Sequence, residues 1–254
     1  PEHGGYRCVA PNLRGFEKSS APAEVEAYRA HLLIKDILEL AALEAADGHI
    51  DTLVAHDWGG AFGWGLANAQ PARLDRLVII NSPHPGTFLR ELRDSPAQRD
   101  ASAYMSFLAR PDAEQLLSEN DYQRLWPFFA APAGMRPWLT DAVKAQYREV
   151  WDAGLTGACN LYRVTPLKPA TPGEAPRVFP DLPRERLTVG VPTLVLWAMD
   201  DVALLPGLID GLEDYVPKLQ LKKVSGATHW IVHEQPERVM REIDAFVRST
   251  TPAQ

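Results

Sequence analysis

This sequence is short of cysteine, of long apolar runs and of positive charge, and each shortage closes off a class of function. Its two cysteines, Cys8 and Cys159, build no disulfide framework and lack metal-ligand spacing, so a reducing compartment is expected. No apolar stretch approaches the roughly 18 residues of a membrane-spanning helix, and no charged-then-apolar leader pattern opens the chain; the expectation is a cytoplasmic protein. A formal net charge of −7 argues against nucleic acid or an anionic membrane as the main partner. Internal repeats and low-complexity tracts are missing too. What is present, 254 residues of which 46% are hydrophobic and 23% charged, suits one large domain or a core with an inserted lid.

The chain is organised around Asp51 to Ala61, DTLVAHDWGGA. The apolar run Leu53 to Ala55 has the texture of a strand buried on both faces. Gly59-Gly60-Ala61 then opens a low-polarity, helix-length segment reaching Ala69. Between the two stands one acid, Asp57, with small residues at positions 55, 59 and 60. That is the pattern of a nucleophile elbow, a strained strand-to-helix turn whose small neighbours let strand and helix pass closely. An acid in place of serine implies an alkyl-ester intermediate, hence attack on saturated carbon. Taken alone, the stretch fits equally a buried strand end whose aspartate caps the next helix.

Upstream, Gly5 to Asn12 (GYRCVAPN) reads as a strand ended by Pro11-Asn12 and the loop to Phe16. His3-Gly4-Gly5 has the letters of an oxyanion loop but precedes a strand instead of following one. Val25, Tyr28, Leu32, Leu33, Ile37 and Leu40 recur at helical spacing, which predicts one amphipathic helix from about Glu24 to Ala46. Arg76 to Ser82 is a further short buried strand. After Pro83-His84-Pro85 the sequence turns helical and aromatic, up to a segment with six prolines between Pro166 and Pro183. Strand character resumes at Thr193 to Trp197 and at Leu219 to Val224, and a helix closes the chain with Val239, Ile243, Phe246 and Val247 on one face. Alternating strands and helices predict a mostly parallel α/β sheet with helices on both faces. The core is expected over 1–84 and 184–254, with a helical insertion over 85–183.

In a parallel sheet, reactive side chains collect where strands end. Two such ends carry suitable groups: Trp197-Ala198-Met199-Asp200-Asp201 supplies an acid, and Gly226-Ala227-Thr228-His229-Trp230 a histidine. The order nucleophile, acid, histidine is that of the α/β-hydrolases. His229, His233 and Glu234 lack a third ligand at the required spacing, so no metal site and no cofactor are expected. His56 falls within the elbow's packing and receives no chemistry.

With these residues in view, the chain resembles the soluble epoxide hydrolase group of the α/β-hydrolase fold, relatives of the haloalkane dehalogenases. The resemblance runs nearly end to end, through GYRCVAPNLRGF, HDWGGA, NSPHP, Tyr104-Met105-Ser106-Phe107, Asn160-Leu161-Tyr162-Arg163, WAMDD and GATHW. It implies Asp57 as nucleophile, His229 as base, Asp201 rather than Asp200 as its acid partner, and the Trp58 backbone N–H as oxyanion donor. It also implies Tyr162 and Tyr104, from a helical lid, as hydrogen-bond donors to an epoxide oxygen. The implied activity is hydrolysis of a small apolar epoxide with water, giving a vicinal diol and needing no cofactor; a homodimer is compatible with it. A haloalkane dehalogenase with the same Asp-His-Asp set, and a non-catalytic ligand-binding relative, are the competing readings. Ala198 departs from the glycine usual in this group. The group also carries three strands and an HG-x-P loop ahead of GYRCVAPN, so roughly 40 residues are expected to precede Pro1.

Overall fold

The computed structural model describes residues 6–131, 134–170, 177–179 and 182–250, which excludes His3-Gly4-Gly5 and much of the proline-rich return. The chain forms two compact units, Pro1–Arg29 with Tyr104–Pro166, and Ala30–Ala103 with Leu167–Gln254. The described strands are β1 Ile50–His56, β2 Leu74–Ile80, the two-residue pair β3 Ala130–Ala131 and β4 Gly134–Met135, β5 Thr193–Ala198 and β6 Leu219–Val224.

The second unit is an α/β sheet structure. Its four strands run parallel in the order β1-β2-β5-β6. The central pair, LDRLVII and TLVLWA, is buried at every position, as expected of strands with a neighbour on each side. Successive side chains alternate between faces. Val78 and Ile80 of β2 join Leu194, Leu196, Val224, Ile231 and Phe246 in one core layer. Leu77 and Ile79, pointing the other way, meet helix α2, Trp58–Ala69, close beside Gly63. The C-terminal helix Pro236–Ser249 buries Val239 and Phe246, with Ile243 partly covered in the same layer. The helices Pro85–Asp94 and Pro96–Ala101 also belong to this unit; buried Gln98 ties the second of them to the chain after β5 through Ala203 and Leu205.

Three local expectations need correction. Residues 6–13 form no strand and are largely exposed; strand backbone persists only with ladder partners for its N–H and C=O groups. The run Leu53 to Ala55 is a strand, but only Ala55 is buried, and Val54 is 46% exposed. An apolar run reports what a strand is able to bury, whereas the neighbours it has decide what it does bury, and β1 lies at the edge of the described sheet. The single helix from Glu24 to Ala46 is instead a 3₁₀ turn, Val25–Tyr28, and an α-helix α1, Ala30–Glu44, broken at Arg29 with ψ 135°. The break falls where the chain passes from one unit to the other.

The first unit is helical. Leu108, Ala113, Leu117, Tyr122, Leu155 and Cys159 form its buried cluster, against which Tyr104, Phe107, Trp151 and Tyr162 pack. The helix Thr156–Val164 approaches the Leu13–Ser20 loop so closely that a Cβ on Gly157 would lie 2.3 Å from the Gly15 carbonyl oxygen. Gly15 itself has φ +89°, a conformation other residues rarely adopt. Asn160 adds a hydrogen bond from its amide to the Ala23 carbonyl, 3.1 Å, and Arg163 pairs with Glu114 from the same helix.

Candidate active site

Asp57 ends β1 and stands at the cap of α2 with φ 50° and ψ −123°. A non-glycine residue there stores strain, and the surroundings hold it in place. Its carbonyl accepts from the Ala61 N–H of the first helical turn, 3.1 Å, and from the Ser82 hydroxyl, 2.7 Å. The Ser82 carbonyl in turn accepts from the Trp64 indole, 3.2 Å. The small residues of the elbow divide in role. A Cβ on Gly60 would sit 2.3 Å from Ser82 Cβ, and one on Gly63 3.3 Å from Ala55 Cβ, whereas one on Gly59 would meet nothing within 4 Å. Close passage of strand and helix therefore depends on Gly60 and Gly63, and Gly59 is not part of it.

The elbow, the end of β5 and the loop after β6 bring three predicted residues together. His229 Nε2 is 3.3 Å from Asp57 Oδ1, and His229 Nδ1 donates to Asp201 Oδ2 at 2.8 Å. Asp201, and not Asp200, is the acid in reach, and its side chain is wholly buried. Its Oδ1 accepts from the backbone N–H groups of Ala203, 2.9 Å, and Leu204, 3.0 Å, while Oδ2 accepts from Asn81 as well as His229. Every lone-pair direction of the carboxylate has a donor, so it holds the His229 ring with Nδ1 protonated and Nε2 turned to Asp57.

Two residues to which sequence reasoning gave no role belong to this arrangement. The His56 ring lies tilted at 41° against His229 with ring centroids 4.6 Å apart, and its Nε2–H donates to the His229 carbonyl oxygen at 2.9 Å. A carbonyl can only accept, so His56 carries its proton on Nε2. Asn81 lies at the end of β2 with φ 37°, fully buried between Ala198 and Asp201. Both stood inside quoted motifs, HDWGGA and NSPHP. The signal that could have found them was a polar residue directly after the apolar runs Leu53–Ala55 and Leu77–Ile80, at the carboxyl ends of two strands.

The charges follow from the geometry. Burial pushes the Asp57 carboxyl up, but the His229 hydrogen bond and charge, His56 and the Trp58 backbone N–H outweigh it and hold the group below the usual carboxylate range. Burial likewise raises Asp201, and its bonds to His229, Leu204 and Asn81 again win, leaving it lowered. Burial opposes the charged form of His229, yet the Asp201 and Asp57 hydrogen bonds, with the charges of both acids, carry it up to about 10. Burial and the neighbouring His229 charge depress His56 to about 4, so that ring is neutral. The resting arrangement is an imidazolium held between two carboxylates, beside a neutral imidazole.

Tyr104 and Tyr162 lie in the helical unit and meet each other edge to face, ring centroids 5.9 Å apart at 75°. Phe128 makes a similar edge contact with Tyr104 at 5.7 Å. Tyr104 opens the short helix Tyr104–Leu108, and Tyr162 lies on Thr156–Val164. Trp58 stacks on Phe62 along α2. Among the described residues no cluster of His, Cys, Asp and Glu is arranged to hold a metal ion, and no helix is long and apolar enough to cross a membrane.

Against known proteins, the chain matches the family model described as the alpha/beta hydrolase fold over residues 1–236. It is 33% identical over 249 residues to the AB hydrolase superfamily protein YfhM of Bacillus subtilis, covering 96% of this chain and 82% of that protein. It is 30% identical over 254 residues to epoxide hydrolase 4 of Mus musculus, covering 97% of this chain and 67% of that protein. Among solved structures it superposes on an epoxide hydrolase from Bacillus megaterium, an F128A mutant complexed with its diol product, with a TM-score of 0.80 and 27% identity, covering 93% of this chain and 82% of that one. The chain belongs to the α/β-hydrolase fold family and, within it, to the epoxide hydrolase group.

Proposed function

We propose that this protein is an epoxide hydrolase acting in two covalent steps, with Asp57 as nucleophile. The carrying observation is the Asp57–His229–Asp201 arrangement: an ionised carboxylate on a strained turn, 3.3 Å from a histidine oriented by a wholly buried second acid. A carboxylate held below its ordinary pKa is anionic at neutral pH and needs no base to attack. One Asp57 oxygen attacks an epoxide carbon and the C–O bond of the ring breaks. The oxygen leaves as an alkoxide, a far stronger base than a phenolate, so a phenol can protonate it. Tyr162 and Tyr104, which meet edge to face in the helical unit, are the groups we assign to that proton transfer.

Ester formation then changes the electrostatics of the site. Asp57 becomes a neutral ester, and one of the two charges that sustain the His229 imidazolium disappears. With only Asp201 left, His229 loses its proton more readily and becomes the base that the second step requires. Neutral His229 takes a proton from water at Nε2. The hydroxide oxygen attacks the Asp57 carboxyl carbon, and the Trp58 N–H, already hydrogen-bonded to the Asp57 carboxylate, receives the developing oxyanion. Collapse breaks the acyl C–O bond, His229 returns the proton to the departing oxygen, and a vicinal diol leaves. The Asp57 carboxyl then passes its proton to His229, restoring the starting ion pair. The proton that His229 lost after the first step restores the phenolate to a phenol through water. The partners of this chemistry are a small apolar epoxide and water. Nucleic acid, membrane and cofactor take no part, and a cytoplasmic location suits the free cysteines Cys8 and Cys159.

The test is His229→Gln. After incubation with styrene oxide, the variant should retain a mass increment on the Asp57 peptide, because alkylation proceeds and hydrolysis does not. A folded, inactive variant with an unmodified Asp57 peptide would remove the covalent mechanism.

A further inference from the structure

The end of β2 carries a side chain whose contacts exceed what packing needs. Asn81 adopts φ 37°, a left-handed conformation that asparagine tolerates better than most residues, and no part of it is exposed. Its backbone N–H donates to the Leu196 carbonyl at 3.1 Å, closing the β2–β5 ladder. Its Oδ1 accepts from the Ala198 N–H at 2.8 Å. That bond decides the orientation of the amide, since only the oxygen can accept, and it leaves Nδ2 facing Asp201 Oδ2 at 2.8 Å. The same Asp201 oxygen receives His229 Nδ1–H, also at 2.8 Å.

We propose that Asn81 is a positioning residue for ester hydrolysis: it clamps Asp201 from the β2 side so that His229 keeps Nε2 aimed at the Asp57 carboxyl. This rests on the two-step reading above. The two amide N–H groups of Ala203 and Leu204 grip one Asp201 oxygen, and among the described residues Asn81 and His229 grip the other. Without Asn81, the remaining partner of that oxygen among the described residues is His229 itself, the ring that the carboxylate has to orient, so oxygen and ring can turn together. Alkylation asks nothing of this clamp, because the Asp57 carboxylate attacks without a base. The clamp therefore acts on one half of the reaction, unlike a contact that merely holds the fold together.

The experiment times both steps by mass spectrometry in the native enzyme, His229→Gln, Asn81→Gly and Asn81→Asp. Glycine keeps the left-handed backbone and removes the amide. Asn81→Gly should leave Asp57 alkylation within about threefold and slow ester hydrolysis by on the order of tenfold or more, the lower end of what general-base assistance contributes, so that ester accumulates at steady state. The isosteric Asn81→Asp preserves the bond to Ala198 and keeps the question answerable if the glycine variant does not fold. Two carboxyls that close do not both ionise easily. Protonated, the new acid can donate to Asp201 as the amide does; ionised, it repels it. The groups around this pair are His229, the Ala203 and Leu204 amides, and beyond His229 the Asp57 carboxylate and His56. Hydrolysis in Asn81→Asp should therefore gain a fall with rising pH that native enzyme lacks. Equal loss in both steps for Asn81→Gly, or a native-like hydrolysis profile for Asn81→Asp, overturns the proposal. Absence of ester in His229→Gln as well would instead overturn the two-step reading, so the two failures are distinct.

Discussion

The two units hold their reactive side chains in different ways. In the sheet unit, Asp57, Asp201 and His229 are fixed by hydrogen bonds from the backbone and from buried polar groups, and Asp201 accepts from four donors. In the helical unit, Tyr104 and Tyr162 meet each other edge to face and pack against the buried apolar cluster. Hydrogen bonds set direction within a few tens of degrees, whereas edge-to-face ring contacts are shallower and accept a range of distances. Charge transfer to and from water needs the first kind of precision. In the proposed reaction the sheet unit supplies the nucleophile and the base, and the helical unit the proton donors.

The largest effect that would break this comparison lies with the tyrosines. Tyr162→Phe and Tyr104→Phe should each slow epoxide opening substantially, and the double variant should lose the whole general-acid contribution, ~10²–10⁴-fold. Single-turnover alkylation of Asp57 is the measurement. Full rates in the folded double variant would detach the phenols from the chemistry, and halide release from a haloalkane without diol formation would point to dehalogenase activity.

Close backbone approach offers a smaller test in both units. Gly157→Ala drives a methyl into the Gly15 backbone and Gly60→Ala one into Ser82, so each should destabilise its own unit by about 1–3 kcal/mol or more. Gly59→Ala meets no neighbour within 4 Å and lies in a helix, where alanine is favoured over glycine by roughly 0.5–1 kcal/mol, so it should be neutral or stabilising. Denaturant midpoints measure all three, and a Gly59 variant as unstable as the Gly60 one would refute the division of roles in the elbow.

Smallest, and sharpest for the sheet unit, is the titration of His229. Its ring should stay protonated through neutral pH and lose its proton near 10. Asp57→Asn imitates the neutral ester and should lower that midpoint by about one unit or more, roughly 1.4 kcal/mol of lost support. Because the folded value is raised above the ordinary 6.5, the ion pairs stabilise the fold fully below that ordinary value, and the contribution is lost as pH climbs toward 10. Ring-proton chemical shifts followed against pH would check both statements. An unchanged midpoint in Asp57→Asn would show that ester formation does not switch the histidine into a base.

Much of this site was legible in the chain because its signals are local. An acid between an apolar run and a pair of glycines, and an acid and a histidine just past later strands, need only strand polarity and chain order to be recognised. Strand β6 runs from Leu219 to Val224 as read, and the parallel α/β sheet followed from the alternation of strands and helices. The segment from Gly5 to Asn12 misled, because β-prone residues predict a strand only where a partner is in reach. The run ending at Ala55 misled over burial for the same reason.

The amino-acid sequence by itself determined which residue types end the strands, and in what order, since those depend on periodicity and turn chemistry along a few residues. Only the tertiary structure decided that Asn81, 120 residues before Asp201, shares an oxygen with His229, and that His56 donates to the His229 backbone. Parallel strands set these groups side by side through connections of any length, so no spacing in the chain encodes their contact. The protonation of His229 was decided there too, because it depends on two carboxylates brought in from different strand ends and on their shared burial.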